Sequence, residues 1–442
     1  MASPSPTGPF TDDLVLAARR QFADRNPASR RHYDEARRHL PGGHTRTVLT
    51  HPPFPLTFVA GEGATLTDAD GHLYLDFLGD YTAGLFGHSE RRVLDPVIAA
   101  LGHNVSVGGI HPAEAHLARL MCDRFGIDRV RFTNSGTEAN LLAITTALQA
   151  TGRPGVMAFH GGYHGGVLYF ATGAAPWNAP YDFVLAPYND PTGTVALIEE
   201  HAPRLAAVIV EPMLGSGGCV PADPGFLAAT FAAARAAGAV CIADEVMTSR
   251  HGRQGLVHLM GAEADITTFG KYIGGGFSFG AFGGRADLLD QFDTSPEAGR
   301  AQAGQRVIAH AGTFNNNVAT MTAGCAVLGQ VFTAQVAEAH TIRGHELRLA
   351  IAAVLARHPL PVSVSGYGSM MALHALPAPP STVAQVAGRN NNLQELLFLG
   401  LLSRGIYTAA RGMVNLGLAH SDDQLAALLD AIDDTLADLA TA

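Results

Sequence analysis

Between residues 130 and 271 the chain repeats one device, a short apolar run that ends abruptly in polar or charged residues. VRFTNS leads into the helical pattern GTEANLLAITTALQ, and VMAFH into a glycine-rich bend. LAAVIVEP precedes FLAATFAAARAAG, and AVCIADEV precedes DITTFGK. Runs this rich in Val, Ile and Ala, with no polar alternation, are strands covered on both faces, and the helices between them supply the cover. The pattern predicts an α/β fold. In open sheets of that kind ligands gather beyond the carboxyl ends of the strands, where this chain carries Glu211, Asp244 and Lys271.

The flanks read differently. A helical pattern runs from about Thr11 to Leu40, is interrupted at Asn26-Pro27 and stops at Pro41–Gly43. Two strand-like pieces between Leu56 and Phe77 surround the hairpin signal Asp70-Gly71. From about Met321 helical patterns return, with strand-like pieces at PVSVSGYGSMMALHAL and GMVNLGL and a closing helix over the last twenty residues. A chain of 442 residues suits two domains. The layout predicts a large domain over residues 76–325 and a smaller one built from 1–75 and 326–442. The opening MASPSPTGP is expected to be disordered.

A net charge of −10 argues against a nucleic-acid partner, whose phosphates need a basic footprint. Only 15% of the residues are charged, so part of the sparingly charged surface is expected in a subunit interface. No apolar stretch reaches membrane-spanning length and the N-terminus lacks a signal peptide's apolar core, which together predict a cytoplasmic protein. Cys122, Cys219, Cys241 and Cys325 are scattered and read as buried thiols in a reducing compartment. HExxH and CxxC are absent, His111, His116, His160 and His164 form no recognised ligand set, and no metal is expected.

Several residues carry chemistry that fits one kind of cleft. Lys271 lies after an apolar run and beside three glycines, a poor place for a surface charge. An amine there can form an imine with a carbonyl cofactor. Asp244 then suits the carboxylate that keeps a pyridine nitrogen protonated, as pyridoxal phosphate (PLP) requires. Because a strand turns successive side chains to opposite faces, only one of Asp244 and Glu245 can look directly into a cleft. Ser135, Gly136 and Thr137 open a helix, either as a phosphate site or as an ordinary cap. Thr313 offers a further phosphate hydroxyl ahead of another helix. Tyr163, after two glycines, can stack on a flat heteroaromatic ring, while His164 is either a ligand contact or a structural hydrogen-bonder. Arg46 and Arg411 are carboxylate forks or surface ion pairs.

Taken together, SGTEAN, GGYHG, VEPM, DEVMTSR, GKYIGGG and AGTFNNN resemble the class III aminotransferases of PLP fold type I. The resemblance runs from Arg46 to the end of the chain. It is nearest the glutamate-1-semialdehyde aminomutase-like branch and, within it, the aromatic β-amino-acid (β-phenylalanine) aminotransferases, through PFPLTFVAGEGATLTDADGHLY, DFLGDYTAGLFGHS and GKYIGGGFSFGAFGGRADLL. It implies a mostly parallel seven-stranded sheet in the large domain, an α+β smaller domain, and a homodimer sharing its active sites. Lys271 is then the cofactor lysine and Asp244 the pyridinium partner. Ser135, Gly136 and Thr137 form the phosphate cup, with Thr313 lent by the neighbouring subunit. Tyr163 and His164 lie at the ring, and Glu211 is an acid near it. Arg46 would take the carboxylate of a β-amino acid, and Arg411 the distal carboxylate of 2-oxoglutarate. The implied reaction moves the amino group of a β-amino acid such as β-phenylalanine to 2-oxoglutarate. A glutamate-1-semialdehyde-like aminomutase or another ω-aminotransferase are the alternatives. One departure from the family pattern is the lengthening TSPEAGRAQAGQR before AHAGTF.

Overall fold

How side chains alternate along each strand decides how the centre of this molecule is built. The computed structural model describes residues 10–171, 173–298, 304 and 306–441. Among these, seven strands form one sheet: β1 Arg129–Thr133, β2 Gly155–Phe159, β3 Asp182–Ala186, β4 Leu205–Val210, β5 Val240–Asp244, β6 Ile266–Gly270 and β7 Gly280–Gly284. Their order is β1-β7-β6-β5-β4-β2-β3. Strand β7 runs antiparallel to both neighbours, and the other pairings are parallel.

Met157, Phe159, Val208, Val210, Cys241 and Ala243 pack with Phe226, Leu227 and Phe231 of helix Pro224–Ala236. The alternate residues Val156, Ala158, Ala207, Ile209 and Ile242 pack with Ala139, Ala143, Ile144 and Ala147 of helix Gly136–Thr151. Both faces are therefore dry, and the strands can be apolar throughout. This is the α/β architecture expected from the sequence.

Two strands of this sheet, β3 and β7, lie outside the runs that mark the others. Strand β3, DFVLA, is an edge strand that opens on an exposed Asp182. Strand β7 reads GAFGG, and its glycines answer to space. A Cβ on Gly280 would lie 2.1 Å from the Ser135 carbonyl oxygen, and one on Gly284 2.1 Å from that of Asp265. A strand stripped of β-branched side chains to admit neighbouring backbone carries no propensity signal.

The two ends of the chain build the smaller domain together. Strands Phe58–Glu62, Thr65–Asp68 and Leu73–Asp76 form a meander, and Ile406–Tyr407 adds to it in parallel alongside Leu75–Asp76. The predicted turn at Asp70-Gly71 is present, with Gly71 at φ 87°; a second turn at Gly63-Ala64 divides the first predicted strand in two. A three-stranded sheet of Ser363–Tyr367, Met370–His374 and Met413–Asn415 lies nearby in the chain's second half. One apolar core unites Phe10, Val15 and Phe77 with Leu347, Ile351, Leu397, Ile432 and Leu436. The early helical pattern splits as foreseen into Asp12–Arg25 and Pro27–Ala36, and the chain closes on helix Asp422–Thr441.

Cys219 and Cys241 are buried, whereas Cys122 and Cys325 are only partly so, which corrects the expectation of four buried thiols. Among the described residues no helix is long and apolar enough to cross a membrane. The expected disorder of residues 1–9 lies outside the described residues, as does much of the TSPEAGRAQAGQR segment. The closeness of β7 to the Ser135 turn gives a direct test. Gly280→Ala should lower stability by about 1–3 kcal/mol, the usual cost of overpacking, read as a lower urea midpoint at unchanged m-value. An unshifted midpoint would mean the turn can retreat.

Candidate active site

Asp244 is the last residue of β5 and stands two positions after Ile242, so alternation turns it toward helix Gly136–Thr151. There its carboxylate accepts the Asn140 side-chain amide at 2.8 Å and the Val246 N–H at 3.1 Å, and shares a 2.8 Å hydrogen bond with His164 Nδ1. Thr268, its register partner on β6, donates at 2.7 Å to Asn140 Oδ1 and lies 3.4 Å from Asp244. A buried carboxylate is tolerated when donors replace its water, and these donors do so. Glu245 turns away from that helix. It accepts the N–H groups of Leu256 and Val257 at 2.8 and 2.9 Å, tying down the short helix Leu256–Leu259, and burial pushes its carboxyl up to about 7. The adjacent acids divide as their alternation requires.

Lys271 leaves β6 in the left-handed region, at φ 51°, which aims it into the cleft. Burial lowers its ammonium to about 8, against the opposing pull of Asp80. A lysine this close to neutral can act as a nucleophile or carry a proton. Glu211, just past β4, accepts the N–H of Tyr163 at 2.8 Å and of Gly215 at 3.1 Å, and burial raises its carboxyl. It thereby fixes the backbone that presents the Tyr163 ring. Ser135 caps helix Gly136–Thr151 by accepting the Glu138 N–H at 3.2 Å. Gly136 and Thr137 occupy the first turn, whose N–H groups the helix cannot use. Capping and an anion-friendly turn are one arrangement here, so the two readings of this motif do not compete.

Asp244, Asn140, Lys271, Glu211, Tyr163, His164 and the Ser135–Thr137 turn line a single cleft of about 1000 Å³ with Arg46. Of the residues singled out from the sequence, Thr313 and Arg411 are not in its wall. Thr313 is exposed on a loop tethered beneath it: Arg131 donates to His310, His310 meets Asn315, and Asn134 donates to Asn315. Arg411 lies over the Tyr81 ring at 5.0 Å, and Arg46 over the same ring at 5.3 Å. Among the described residues no carboxylate comes within ion-pair distance of Arg411, whose Nε is buried and unpartnered. Arg46, by contrast, pairs with Asp80 at 2.5 Å.

The backbone beneath Tyr81 is unusual. Gly79, Asp80, Tyr81 and Thr82 follow one another with φ of 53°, 43°, 53° and 81°. Left-handed backbone costs a non-glycine residue roughly 1–2 kcal/mol, and here three stand in a row. Asp76 holds the entry by accepting the Leu78 and Gly79 N–H groups, and the Tyr81 hydroxyl donates to the Val48 carbonyl at 2.9 Å. Asn140, Thr268, Asp80 and Tyr81 are residues to which no sequence motif assigns a role. For Asn140 a signal existed, since an amide side chain inside an otherwise alanine- and leucine-rich helix is a poor helix former there. For Asp80 and Tyr81 only the run DFLGDYTAGLFGHS hinted at interest, without assigning them.

A lysine of lowered basicity and a buried carboxylate held by three close hydrogen bonds thus face one cleft at the carboxyl ends of the parallel strands. Residues 48–436 match the family Aminotransferase class-III. The chain is a class III aminotransferase. It is 46% identical over 422 residues to the β-phenylalanine transaminase of Variovorax paradoxus, covering 95% of each chain. It is 36% identical over 406 residues to the glutamate-1-semialdehyde 2,1-aminomutase of Deinococcus radiodurans, covering 85% of this chain and 89% of that one. The crystal structure of a β-phenylalanine aminotransferase from Variovorax paradoxus superposes with a TM-score of 0.93 at 45% identity, over 97% of both chains.

The aminotransferase is an enzyme dependent on pyridoxal 5′-phosphate, and its cleft fits that group. The lysine is desolvated, the first helical turn is open to an anion, and His164 Nε2 is buried without a partner. Gly165 lets the Tyr163 loop close on the turn, since a Cβ there would lie 2.2 Å from Thr137 Oγ1.

A pH effect follows from Glu245. Its folded carboxyl titrates near 7 against 4.5 unfolded, so the unfolded chain releases its proton first. Stability from this group is full below about 4.5 and is lost as pH rises toward 7, on the order of 3 kcal/mol at 1.36 kcal/mol per pH unit. Glu245→Gln should flatten that decline in urea titrations between those pH values. An equally steep decline in the variant would assign it to other groups.

Proposed function

We propose that this aminotransferase moves the amino group of an aromatic β-amino acid such as β-phenylalanine to 2-oxoglutarate, giving a β-keto acid and glutamate. The observation that carries the reading is the pair of guanidinium groups on one tyrosine ring, Arg46 in the cleft wall and Arg411 behind it without a carboxylate partner. Two carboxylated substrates that take turns in one pocket call for two forks, and an arginine fork binds carboxylate in a way lysine cannot reproduce. The relative from Variovorax paradoxus supports the choice of donor by name.

Lys271 is the residue to which the cofactor is attached, and Asp244 the carboxylate that holds its ring nitrogen protonated. Ser135, Gly136 and Thr137 receive its phosphate, with Tyr163 and His164 at the ring and Glu211 bracing the Tyr163 loop. When bound, the group supplies an electron sink that makes the carbon bearing the amine acidic. Lys271 Nζ takes the proton from that carbon, a task suited to an amine near neutrality. Asn140, Thr268, His164 and the Val246 N–H hold Asp244 in place while it does so. Arg46 orients the β-amino acid through its carboxylate. Arg411 binds the distal carboxylate of 2-oxoglutarate and withdraws for an aryl group.

A homodimer completes the site in this reading. Thr313 is exposed beside Phe314, and the segment bonded to that loop exposes Val105 and Ile110. Apolar side chains gathered on a surface mark a subunit contact, which would carry Thr313 to the neighbouring subunit's phosphate.

The test is glutamate formation by the purified holoenzyme from 3-amino-3-phenylpropanoate with and without 2-oxoglutarate. Glutamate should form only when both are present. Its absence would remove the β-amino-acid reading and favour an aminomutase, consistent with the name of the Deinococcus radiodurans relative. Arg411→Ala should raise KM for 2-oxoglutarate about 10- to 150-fold, the worth of a lost hydrogen bond to a charged group, while leaving the single-turnover rate with the β-amino acid within about threefold. An unaltered 2-oxoglutarate half-reaction would take Arg411 out of the mechanism.

A further inference from the structure

The ion pair at the cleft has a second member, Asp80, beside Arg46. Asp80 lines the cleft with Arg46 and Lys271, on the left-handed turn that Asp76 and the Tyr81 hydroxyl hold in place. Its Oδ1 meets Arg46 Nη1 at 2.5 Å, and among the described residues Oδ2 has no hydrogen-bond partner and the other Arg46 donors meet no carboxylate. The Asp80 side chain is about half exposed, so it is a charge facing the space a ligand would enter.

An amino acid arrives as a zwitterion, an ammonium and a carboxylate on one short skeleton. We infer that Asp80 and Arg46 form a charge dyad that reads both ends of that zwitterion, Arg46 taking the carboxylate and Asp80 the ammonium. This rests on the proposal that Arg46 receives the donor's carboxylate, and it adds a specificity-determining residue, Asp80, at the same site. The two side chains satisfy each other. An incoming zwitterion exchanges that contact for two, its carboxylate on the remaining Arg46 donors and its ammonium on Asp80 Oδ2. Hydrogen bonds between charged partners are shorter and about twice as strong as neutral ones, and Asp80 supplies one that a plain carboxylic acid cannot use. The placement is also productive. Asp80 and Lys271 line the same cleft, and the Asp80 carboxylate pulls on the Lys271 ammonium against its burial, so an amine held at Asp80 waits in the cleft that holds the residue it must displace. A keto acid carries no ammonium and gains nothing from Asp80. The dyad therefore distinguishes donor from acceptor within one pocket.

The experiment compares two non-reacting ligands on the holoenzyme by calorimetry. One is 3-phenylpropanoate, which has the carboxylate alone. The other is 3-(dimethylamino)-3-phenylpropanoate, which keeps the cationic nitrogen but cannot form an imine. Wild-type protein should bind the zwitterion more tightly. Asp80→Asn should weaken the zwitterion about 10- to 150-fold, the range for hydrogen bonds to charged groups, and leave 3-phenylpropanoate within about threefold. Asp80→Glu should recover much of the difference, and thermal melts of all three proteins verify folding. If both ligands weaken together, Asp80 merely orients Arg46 and the inference is overturned; it is equally overturned if neither changes. Turnover of 3-amino-3-phenylpropanoate by wild-type protein is measured alongside. No turnover with an Asp80-dependent zwitterion preference would sink the β-phenylalanine reading and leave the dyad standing.

Discussion

A carboxylate buried at the end of a strand must be surrounded by donors, and in this protein the surroundings of Asp244 draw in most of the large domain. Its partners come from helix Gly136–Thr151, from the Tyr163–His164 loop, from β6 and from the backbone just beyond β5. None of these can shift without leaving a buried charge poorly solvated, a cost of several kcal/mol. The helix that contributes Asn140 also opens with the Ser135–Thr137 turn, so the contact that steadies the carboxylate fixes the distance from it to the anion-binding end of the helix. Lys271 leaves the neighbouring strand three residues after Thr268. The carboxylate, the helix-opening turn and the lysine are thus held in fixed relation by one hydrogen-bonded knot.

The other half of the cleft is organised by backbone strain. Three non-glycine residues in left-handed backbone persist only where the surroundings over-determine them, and such strain gathers at functional sites. Asp76 anchors the turn from the smaller domain's meander, and Tyr81 anchors it through Val48. The outcome is a tyrosine ring with Arg46 and Arg411 over it and an acid bonded to Arg46. A flexible loop would place the same residues nearby but would not hold their charges in fixed relation.

The sequence made the chemistry legible more fully than the scaffold. Glu211, Asp244 and Lys271 stood out because each ends an apolar run, and a parallel sheet brings such ends together. The division between Asp244 and Glu245 followed from strand alternation alone. Strand β7 did not show, because its glycines serve the Ser135 and Asp265 carbonyls and not its own propensity. Asn140 and Thr268 were hidden for another reason: their importance lies in a partner on a different element, which periodicity does not report. Arg411 and Thr313 were legible as residue types, yet within one chain neither reaches the cleft wall. The motif resemblance supplied the count of seven strands, which the apolar runs by themselves did not.

The parallel pairing of Ile406–Tyr407 with Leu75–Asp76 also bears on how the protein is made. Arg19 on the first helix pairs with Glu395, 376 residues later. At the roughly 5–20 residues per second of synthesis, Leu75 waits at least about 17 seconds for Ile406, its partner on the strand that completes the sheet. Until then the exposed edge of Leu73–Asp76 is an open template for other chains. The central α/β domain closes from contacts more local than these, so it would be expected to form first and to hold the early segment near the ribosome until the last helices emerge. Selection on the opening helices and meander therefore includes a demand unrelated to catalysis, that of remaining soluble while unpaired.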